Sequence, residues 1–115
     1  MKMVHVTINT SKLEESIKFY EEIVGLKIVR DLRGHGPAKI VFLAEEAGDT
    51  CIELIDSGEP YKGEGLSIGF HVDDVTAHRD ALVLKGKDVS PIISPNPATK
   101  FFFTFDPNGV KIQFI

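Results

Sequence analysis

The segment HVTINTSKL, residues 5–13, returns later in the chain as SIGFHVDDV, residues 67–75. In both copies apolar and polar residues alternate, which is typical of a strand with one buried face, and helical spacing follows. Further matches extend the similarity: Gly25 corresponds to Gly86, KIVF at 39–42 to KFFF at 100–103, and CIELI at 51–55 to KIQFI at 111–115. These matches predict that the chain is an internal duplication.

The first copy reads as strand, helix and three further strands. A helix is predicted over about residues 12–24, with a capping box formed by Ser11 and Glu14 and a stop at Gly25. The helix is followed by a β-branched run around Ile28 and by two apolar strands. These last strands are predicted at residues 39–43 and 51–55.

The second copy repeats that order. An alternating strand at 66–72 precedes a helix that Asp73 or Asp74 can cap and that runs to about Lys85 before Gly86. Strands are predicted at 89–92, 100–105 and 110–115, with an ordered, proline-rich loop at 90–99 and a turn at 106–109.

Together the two copies predict an α+β fold. Two tandem βαβββ modules, at about 1–57 and 66–115, would form a concave, partly closed mixed sheet with the helices outside. Residues 58–65 are polar and rich in Gly, and they read as a connector inside a single domain covering 1–115. Because a chain of 115 residues has a limited interior, we expect a shared or open cleft and a homodimer.

Composition excludes several classes of partner. The net charge is −4 with no basic run, which argues against nucleic acid. No stretch approaches the ~18 apolar residues that span a bilayer, and the start of the chain does not read as a secretion signal. The single cysteine, Cys51, fits a reducing compartment, so the expected location is the cytoplasm.

Polar side chains occupy equivalent places in the two copies. His5 in the first strand and Glu53 in the last strand of the first copy correspond to Ser67 and Gln113 in the second. If the first and last strands of a copy are neighbours, each pair can project from one concave face. Such a face could hold a metal ion or a polar ligand.

The chain resembles the vicinal oxygen chelate superfamily, which includes glyoxalase I, bleomycin-resistance proteins, fosfomycin-resistance enzymes and extradiol dioxygenases. The resemblance covers nearly the whole chain and rests on five segments. They are VHVTI (4–8), SIKFYEEIVGLKIV (16–29), CIELI (51–55), FHVDDV (70–75) and DPNGVKIQFI (106–115). It implies a doubled βαβββ fold, frequent dimers and a ligand held in the concave sheet.

The resemblance also implies a divalent ion, Ni²⁺, Co²⁺ or Zn²⁺, bound by His, Glu, His and Glu at the inner positions of the first and last strands. His5 and Glu53 match that pattern, while Ser67 stands at the second His position and Gln113 at the last Glu position. Serine is a poor ligand for these ions, and Gln113 offers an amide oxygen without charge. The implied metal ligands are therefore His5, Glu53 and Gln113, with Ser67 in the fourth place and Glu53 as the catalytic base.

Other residues are expected to contact the ligand. Thr7 shares the polar face of His5, and Ser67 and His71 share one strand face of the second copy. His71 lies four residues beyond Ser67, roughly 13 Å along a strand, so it would line the rim. Phe102 faces opposite to Phe101 and Phe103 and would form either core or an apolar wall of the cleft.

Three functions compete at this stage. The first is a glyoxalase I-type lyase or isomerase that uses the metal and Glu53. The second is a metal-free protein that binds and sequesters a small molecule, as bleomycin-resistance proteins do. The third is a structural or regulatory module without a small ligand. Metal retention separates the first from the second, and ligand binding separates both from the third.

Overall fold

A computed structural model describes all residues, 1–115. The chain divides into two compact units, Met1–Lys62 and Gly63–Ile115, and the boundary lies inside the predicted connector. The first unit contains β1 (His5–Thr10), α1 (Leu13–Phe19), β2 (Lys27–Asp31), β3 (Lys39–Ala44) and β4 (Cys51–Asp56). Its four-stranded sheet has the order β1-β4-β3-β2, with β1 parallel to β4 and the other neighbours antiparallel.

The second unit has the same topology. It contains β5 (Ser67–Phe70), α2 (Val75–Leu84), β6 (Ile93–Asn96), β7 (Thr99–Phe105) and β8 (Lys111–Phe114). The sheet order is β5-β8-β7-β6, and the one parallel pair is again the first strand with the last. The structure therefore confirms the α+β class and the two tandem βαβββ modules. That the modules form a single domain remains a prediction.

The N-terminus of α1 differs from the prediction. Lys12 occupies the N-cap position and no side chain caps the helix, so the Ser11–Glu14 capping box is wrong. Instead, the buried Thr10 hydroxyl accepts a hydrogen bond from the Lys12 N–H (2.9 Å), and the Ser16 hydroxyl donates to the Lys12 carbonyl (2.7 Å). Thr10 takes this role because it ends β1 on the face that the helix covers.

The C-terminus of the first helix is close to the prediction. α1 continues as a π-helical turn over Tyr20–Val24, which ends at Gly25 with a positive φ of 86°. A left-handed residue at this place favours glycine because it carries no β-carbon. In the second unit Asp74 caps α2 by accepting from the Ala77 N–H (3.0 Å), as one of the two predicted caps.

The strand predicted at 89–92 is wrong. β6 lies at Ile93–Asn96, inside the segment predicted as a loop. Within residues 89–92, Ser90 pairs with Phe103 of β7. The Ser90 hydroxyl oxygen accepts a hydrogen bond from the Phe103 N–H, and the Ser90 backbone N–H donates to the Phe103 carbonyl (both 2.8 Å). Pro91 follows with no N–H to donate, so a regular ladder cannot continue.

Each sheet has one face covered by its helix. In the first unit the buried strand residues Val41, Leu43, Ile52 and Leu54 pack with buried residues of the first helix, among them Leu13, Ile17, Tyr20 and Ile23. The second core comprises Leu82 of α2 with Phe102, Val110, Ile112 and Phe114. None of the helices combines the length and the hydropathy needed to cross a membrane. The sheet face away from the helix is called the open face below.

Candidate functional site

The open face of the first sheet carries the polar residues that the sequence singled out. β1 alternates, so Ile8 and Thr10 are buried while His5 and Thr7 are exposed. In the parallel register Thr7 lies opposite Glu53 of β4, and Glu53 lies opposite Phe42 of β3. Side chains of directly opposed residues point to the same face of a sheet. Thr7, Glu53 and Phe42 therefore form one row across three strands.

Glu53 is the centre of this row. It is only 9% exposed, and burial of a carboxylate is costly unless polar groups satisfy it. The Thr7 hydroxyl donates a hydrogen bond to Glu53 Oε1 (2.5 Å), and His5 Nε2 lies 3.4 Å from the same oxygen. The prediction that His5 and Glu53 come together on one face agrees with these distances. Thr7 is bound directly to the carboxylate, and its predicted contact with a ligand remains a prediction.

An aromatic ring and a cation complete the first open face. The His5 ring meets Phe42 edge-on at a centroid distance of 5.9 Å. The Arg30 guanidinium lies over the Phe42 ring, 5.7 Å from its centroid. Cys51 opposes His5 in the register, and its thiol contacts the Asp49 carbonyl (3.4 Å). The carboxylate thus has an apolar neighbour on β3 and an imidazole on β1.

The second open face has the same register with different side chains. Gln113 of β8 lies opposite Gly69 of β5 and Phe103 of β7, as Glu53 lies opposite Thr7 and Phe42. A β-carbon built on Gly69 would lie 3.1 Å from Gln113 Oε1, so the glutamine side chain occupies the space that a larger residue would take. Ser67 is exposed on β5, opposite Lys111.

The phenylalanines of β7 separate as the alternation requires. Phe102 is fully buried on the helix side, where it contacts Phe114 at 5.3 Å and His78 of α2 at 6.1 Å. It is therefore a core residue, and this placement does not support the expected ligand contact. Phe101 and Phe103 share the open face with a centroid distance of 5.5 Å. The Lys111 ammonium lies 4.1 Å from the Phe103 centroid.

His71 lies beyond the end of β5, away from the Gln113 row. Its imidazole is 80% exposed, and Nε2 lies 3.4 Å from Asp73 Oδ1. It lines a surface cavity of about 570 Å³ within the second unit, together with the start of α2 and residues 97–100. The predicted position at the rim of the cleft and the predicted contact with a ligand both remain predictions.

Two side-chain atoms of the first unit, one on His5 and one on Glu53, are placed to ligate the same metal ion. Two ligands that each bind an ion at about 2.1 Å and lie 3.4 Å apart subtend about 108° at the ion, close to a tetrahedral angle. His5 Nε2 and Glu53 Oε1 meet this condition. Catalytic zinc sites use three protein ligands, however, and no group of three or more His, Cys, Asp and Glu side chains is placed to hold an ion.

Sequence reasoning missed Phe42, Arg30 and Gly69 as members of the open faces. A signal for Phe42 was present, because the KIVF and KFFF segments align Phe42 with Phe103. The structure gives these two residues the same register position, opposite Glu53 and Gln113. Arg30 had no signal, since its approach to Phe42 depends on the pairing of β2 with β3.

Comparison with known proteins gives a consistent picture. A family model described as the Glyoxalase/Bleomycin resistance protein/Dioxygenase superfamily matches residues 2–114. Among curated relatives, the chain is 29% identical over 126 residues to the lactoylglutathione lyase of Haemophilus influenzae, covering 100% of this chain and 92% of the relative.

Two solved structures are similar in fold and sequence. The trypanothione-dependent glyoxalase I of Leishmania major has a TM-score of 0.80 and 27% identity, covering 100% of this chain and 86% of that chain. TnmS3, an antibiotic-binding protein from a Streptomyces species, has a TM-score of 0.79 and 26% identity, covering 99% and 93% of the two chains. One of these neighbours is thus an enzyme and the other a binding protein on the same scaffold.

Proposed function

This chain belongs to the Glyoxalase/Bleomycin resistance protein/Dioxygenase superfamily, and on that premise we propose that it is an enzyme of the lactoylglutathione lyase type. It acts on a small organic molecule at the open face of the first sheet. The observation that supports this proposal is the Glu53 carboxylate, which is 9% exposed yet contacts only a hydroxyl and an imidazole. A carboxylate held in this way is suited to proton transfer.

The chemistry requires a base beside two adjacent carbons. A lactoylglutathione lyase converts the hemithioacetal of a 2-oxoaldehyde into a thioester, so one proton leaves one carbon and returns to its neighbour. Glu53 takes this proton and gives it back, while the surrounding strands limit exchange with water. Phe42 lies beside Glu53 and supplies an apolar surface for the carbon skeleton of the substrate.

A divalent ion, Ni²⁺, Co²⁺ or Zn²⁺, is part of the proposal. His5 and Glu53, whose Nε2 and Oε1 atoms lie 3.4 Å apart, would hold it. When bound, such an ion polarises the adjacent oxygens of the substrate and makes the C–H bond more acidic. A metal-analysis experiment therefore tests the proposal directly.

The purified protein is loaded with Ni²⁺, Co²⁺ or Zn²⁺, passed through gel filtration and analysed for metal, and turnover of the methylglyoxal–glutathione hemithioacetal is measured. We expect about one ion per site and a rate that falls by roughly 10²–10⁴-fold in Glu53→Gln. Glu15→Gln, which neutralises an exposed acid on α1, serves as the matched control and keeps the rate. If none of the three ions stays bound to the protein during gel filtration and no turnover is detected, the proposal is refuted.

A second function is favoured by the other open face. Gln113, Ser67 and Gly69 are neutral, and Phe101 and Phe103 form an aromatic pair beside them. A neutral face with an aromatic pair is suited to binding an aromatic compound without changing it. The likeness to the antibiotic-binding TnmS3 supports this second function. Thermal shifts with aromatic compounds in the presence of a chelator test it, because binding to the folded state raises the melting temperature. Stabilisation that persists under chelation favours sequestration.

We also propose that the chain forms a homodimer. Large apolar side chains remain exposed, among them Val4 at 62% and Leu84 at 89%. A small domain buries a modest share of its surface, so pairing of subunits offers further burial. Light scattering should give twice the chain mass of 12.7 kDa. A mass of one chain at micromolar concentration would refute this part of the proposal.

A further inference from the structure

We infer that Thr7 is a positioning residue that fixes the plane of the Glu53 carboxylate, so that one oxygen is engaged and the other is directed to the substrate, an inference that rests on the proposed role of Glu53. Both polar contacts of the carboxylate involve Oε1, namely the Thr7 hydroxyl at 2.5 Å and His5 Nε2 at 3.4 Å. Oε2 has no hydrogen bond within the chain and is not sealed from solvent. Oε1 is therefore the anchored oxygen, and Oε2 is the oxygen that exchanges the proton.

The hydroxyl is needed because a carboxyl group does not orient itself. The last torsion of a glutamate is broad, so without a partner the plane of the carboxylate rotates over a wide range. Thr7 lies directly opposite Glu53 in the β1–β4 register, and its β-branched side chain has few allowed rotamers. Few orientations of the hydroxyl therefore compete with the one that donates to Glu53, and the hydrogen bond selects that rotamer at a small cost in entropy.

The second unit provides an internal comparison. Gly69 stands where the first unit has Thr7, and Gln113 stands where it has Glu53. The Gln113 side chain there lies over the glycine, 3.1 Å from the place of a β-carbon. The position opposite the polar residue therefore supplies a hydroxyl only in the sheet that carries the acid. In the other sheet the same position supplies no side chain, and Gln113 takes up the space beside it.

Kinetics of three variants test the inference. Thr7→Val keeps the shape and removes the hydroxyl, whereas Thr7→Ser keeps the hydroxyl. Thr50→Val is the matched control, because the Thr50 hydroxyl donates to the Met3 carbonyl (2.8 Å) outside the row. We expect Thr7→Val to lower kcat for the hemithioacetal roughly tenfold or more with KM within about twofold. Thr7→Ser and Thr50→Val should stay near the wild-type kcat.

Two kinetic outcomes would overturn the inference. If Thr7→Val raises KM and leaves kcat unchanged, Thr7 contacts the substrate instead of orienting the base. If Thr7→Ser is as slow as Thr7→Val, the hydroxyl is not the group that matters.

A measurement that needs no turnover separates this inference from the proposed function. Three-bond NMR couplings from the Thr7 methyl carbon to its backbone nitrogen and carbonyl carbon report the χ1 rotamer. We expect one rotamer in the wild type and averaged couplings in Glu53→Leu, or in Glu53→Ala where the leucine variant does not fold. Averaged couplings in the wild type, or one rotamer in both proteins, overturn the inference. If the enzyme shows no turnover but the Thr7 rotamer depends on Glu53, the enzyme proposal is refuted. The hydrogen bond by which Thr7 holds the Glu53 carboxylate is then still supported.

Discussion

The two units share their cores and differ in their open faces. On the helix side both are apolar, with Leu54 and Phe114 at equivalent, fully buried positions. On the open side the first unit has an imidazole, a carboxylate and a hydroxyl, whereas the second has Ser67, Gln113 and Gly69. Alternate residues of a strand point to opposite faces, so one set can change without disturbing the other. The helix-facing set is therefore shared by the two units, and the open-facing set is where they differ.

One feature is common to both open faces. Phe42 and Phe103 occupy the same register position, and each ring has a cation over it, Arg30 in the first unit and Lys111 in the second. The cations come from different strands, β2 and β8. The aromatic position is thus retained in both copies, while the polar residue beside it changes from acid to amide. The difference between the units is therefore concentrated at His5, Thr7 and Glu53 and their counterparts.

The largest effect that tests this comparison concerns the shared cores. Phe114→Ala should lower the free energy of unfolding by about 4 kcal/mol and Leu54→Ala by about 3 kcal/mol, because each removes a fully buried side chain. Chemical denaturation measures both. The open-face variant Phe105→Ala, at a residue 57% exposed, is the control and should cost less than about 1 kcal/mol. Equal losses at all three positions would contradict the division between helix-facing and open-facing sets.

A smaller effect is expected when the second face is made like the first. Ser67→His combined with Gln113→Glu places imidazole and carboxylate donors at the counterparts of His5 and Glu53. These donors bind Ni²⁺ and Zn²⁺ far better than a hydroxyl and an amide, so the dissociation constant for Ni²⁺ should fall roughly tenfold or more. Isothermal titration measures it, with Ser67→Ala/Gln113→Leu as the control. Unchanged affinity would show that the second face does not provide metal ligands.

The glycine counterpart of Thr7 predicts a still smaller change. Gly69→Ala brings a β-carbon to 3.1 Å from Gln113 Oε1, the end of a flexible side chain that can move. Because alanine also restricts the unfolded chain, the free energy of unfolding should rise by about 0.5 kcal/mol or stay unchanged. Thr7→Gly should instead lower it by about 1 kcal/mol. A loss above ~1 kcal/mol for Gly69→Ala would mean that Gln113 is held rigidly.

The smallest effect comes from a surface ion pair of the first unit. A side-chain hydrogen bond from Arg33 lowers the pKa of Asp31 from 3.8 to about 2. A depressed folded-state pKa adds stability above pH 3.8, and this contribution is lost as the pH falls through about 2. Thermal melting of Arg33→Met should therefore differ slightly from the wild type at pH 5 and converge with it near pH 2. A constant difference over this range would assign the effect to packing of the Arg33 stem.

Particular elements show where sequence reasoning succeeded and where it failed. Gly25, Asp74 and the alternation of β1 were predicted because each is a local signal. The Ser11–Glu14 cap failed because Thr10, brought under the helix by β1, offers its hydroxyl instead. The strand at 89–92 failed because Ser90 makes its side-chain bond to Phe103, a partner 13 residues away. The first error arises from a hydrogen bond between residues two apart that the capping-box pattern does not include, and the second from a contact with a distant strand.

The sequence by itself determined the duplication, the faces of the strands and the choice of His5 and Glu53 as the polar residues of one face. It determined these because alternation and repeat spacing are properties of the chain alone. Only the tertiary structure decided that Thr7, and not His5 or Asn9, lies opposite Glu53. Alternation sets which face a residue takes, but a slip of two residues between β1 and β4 preserves it. The register of strands 46 residues apart therefore had to come from packing.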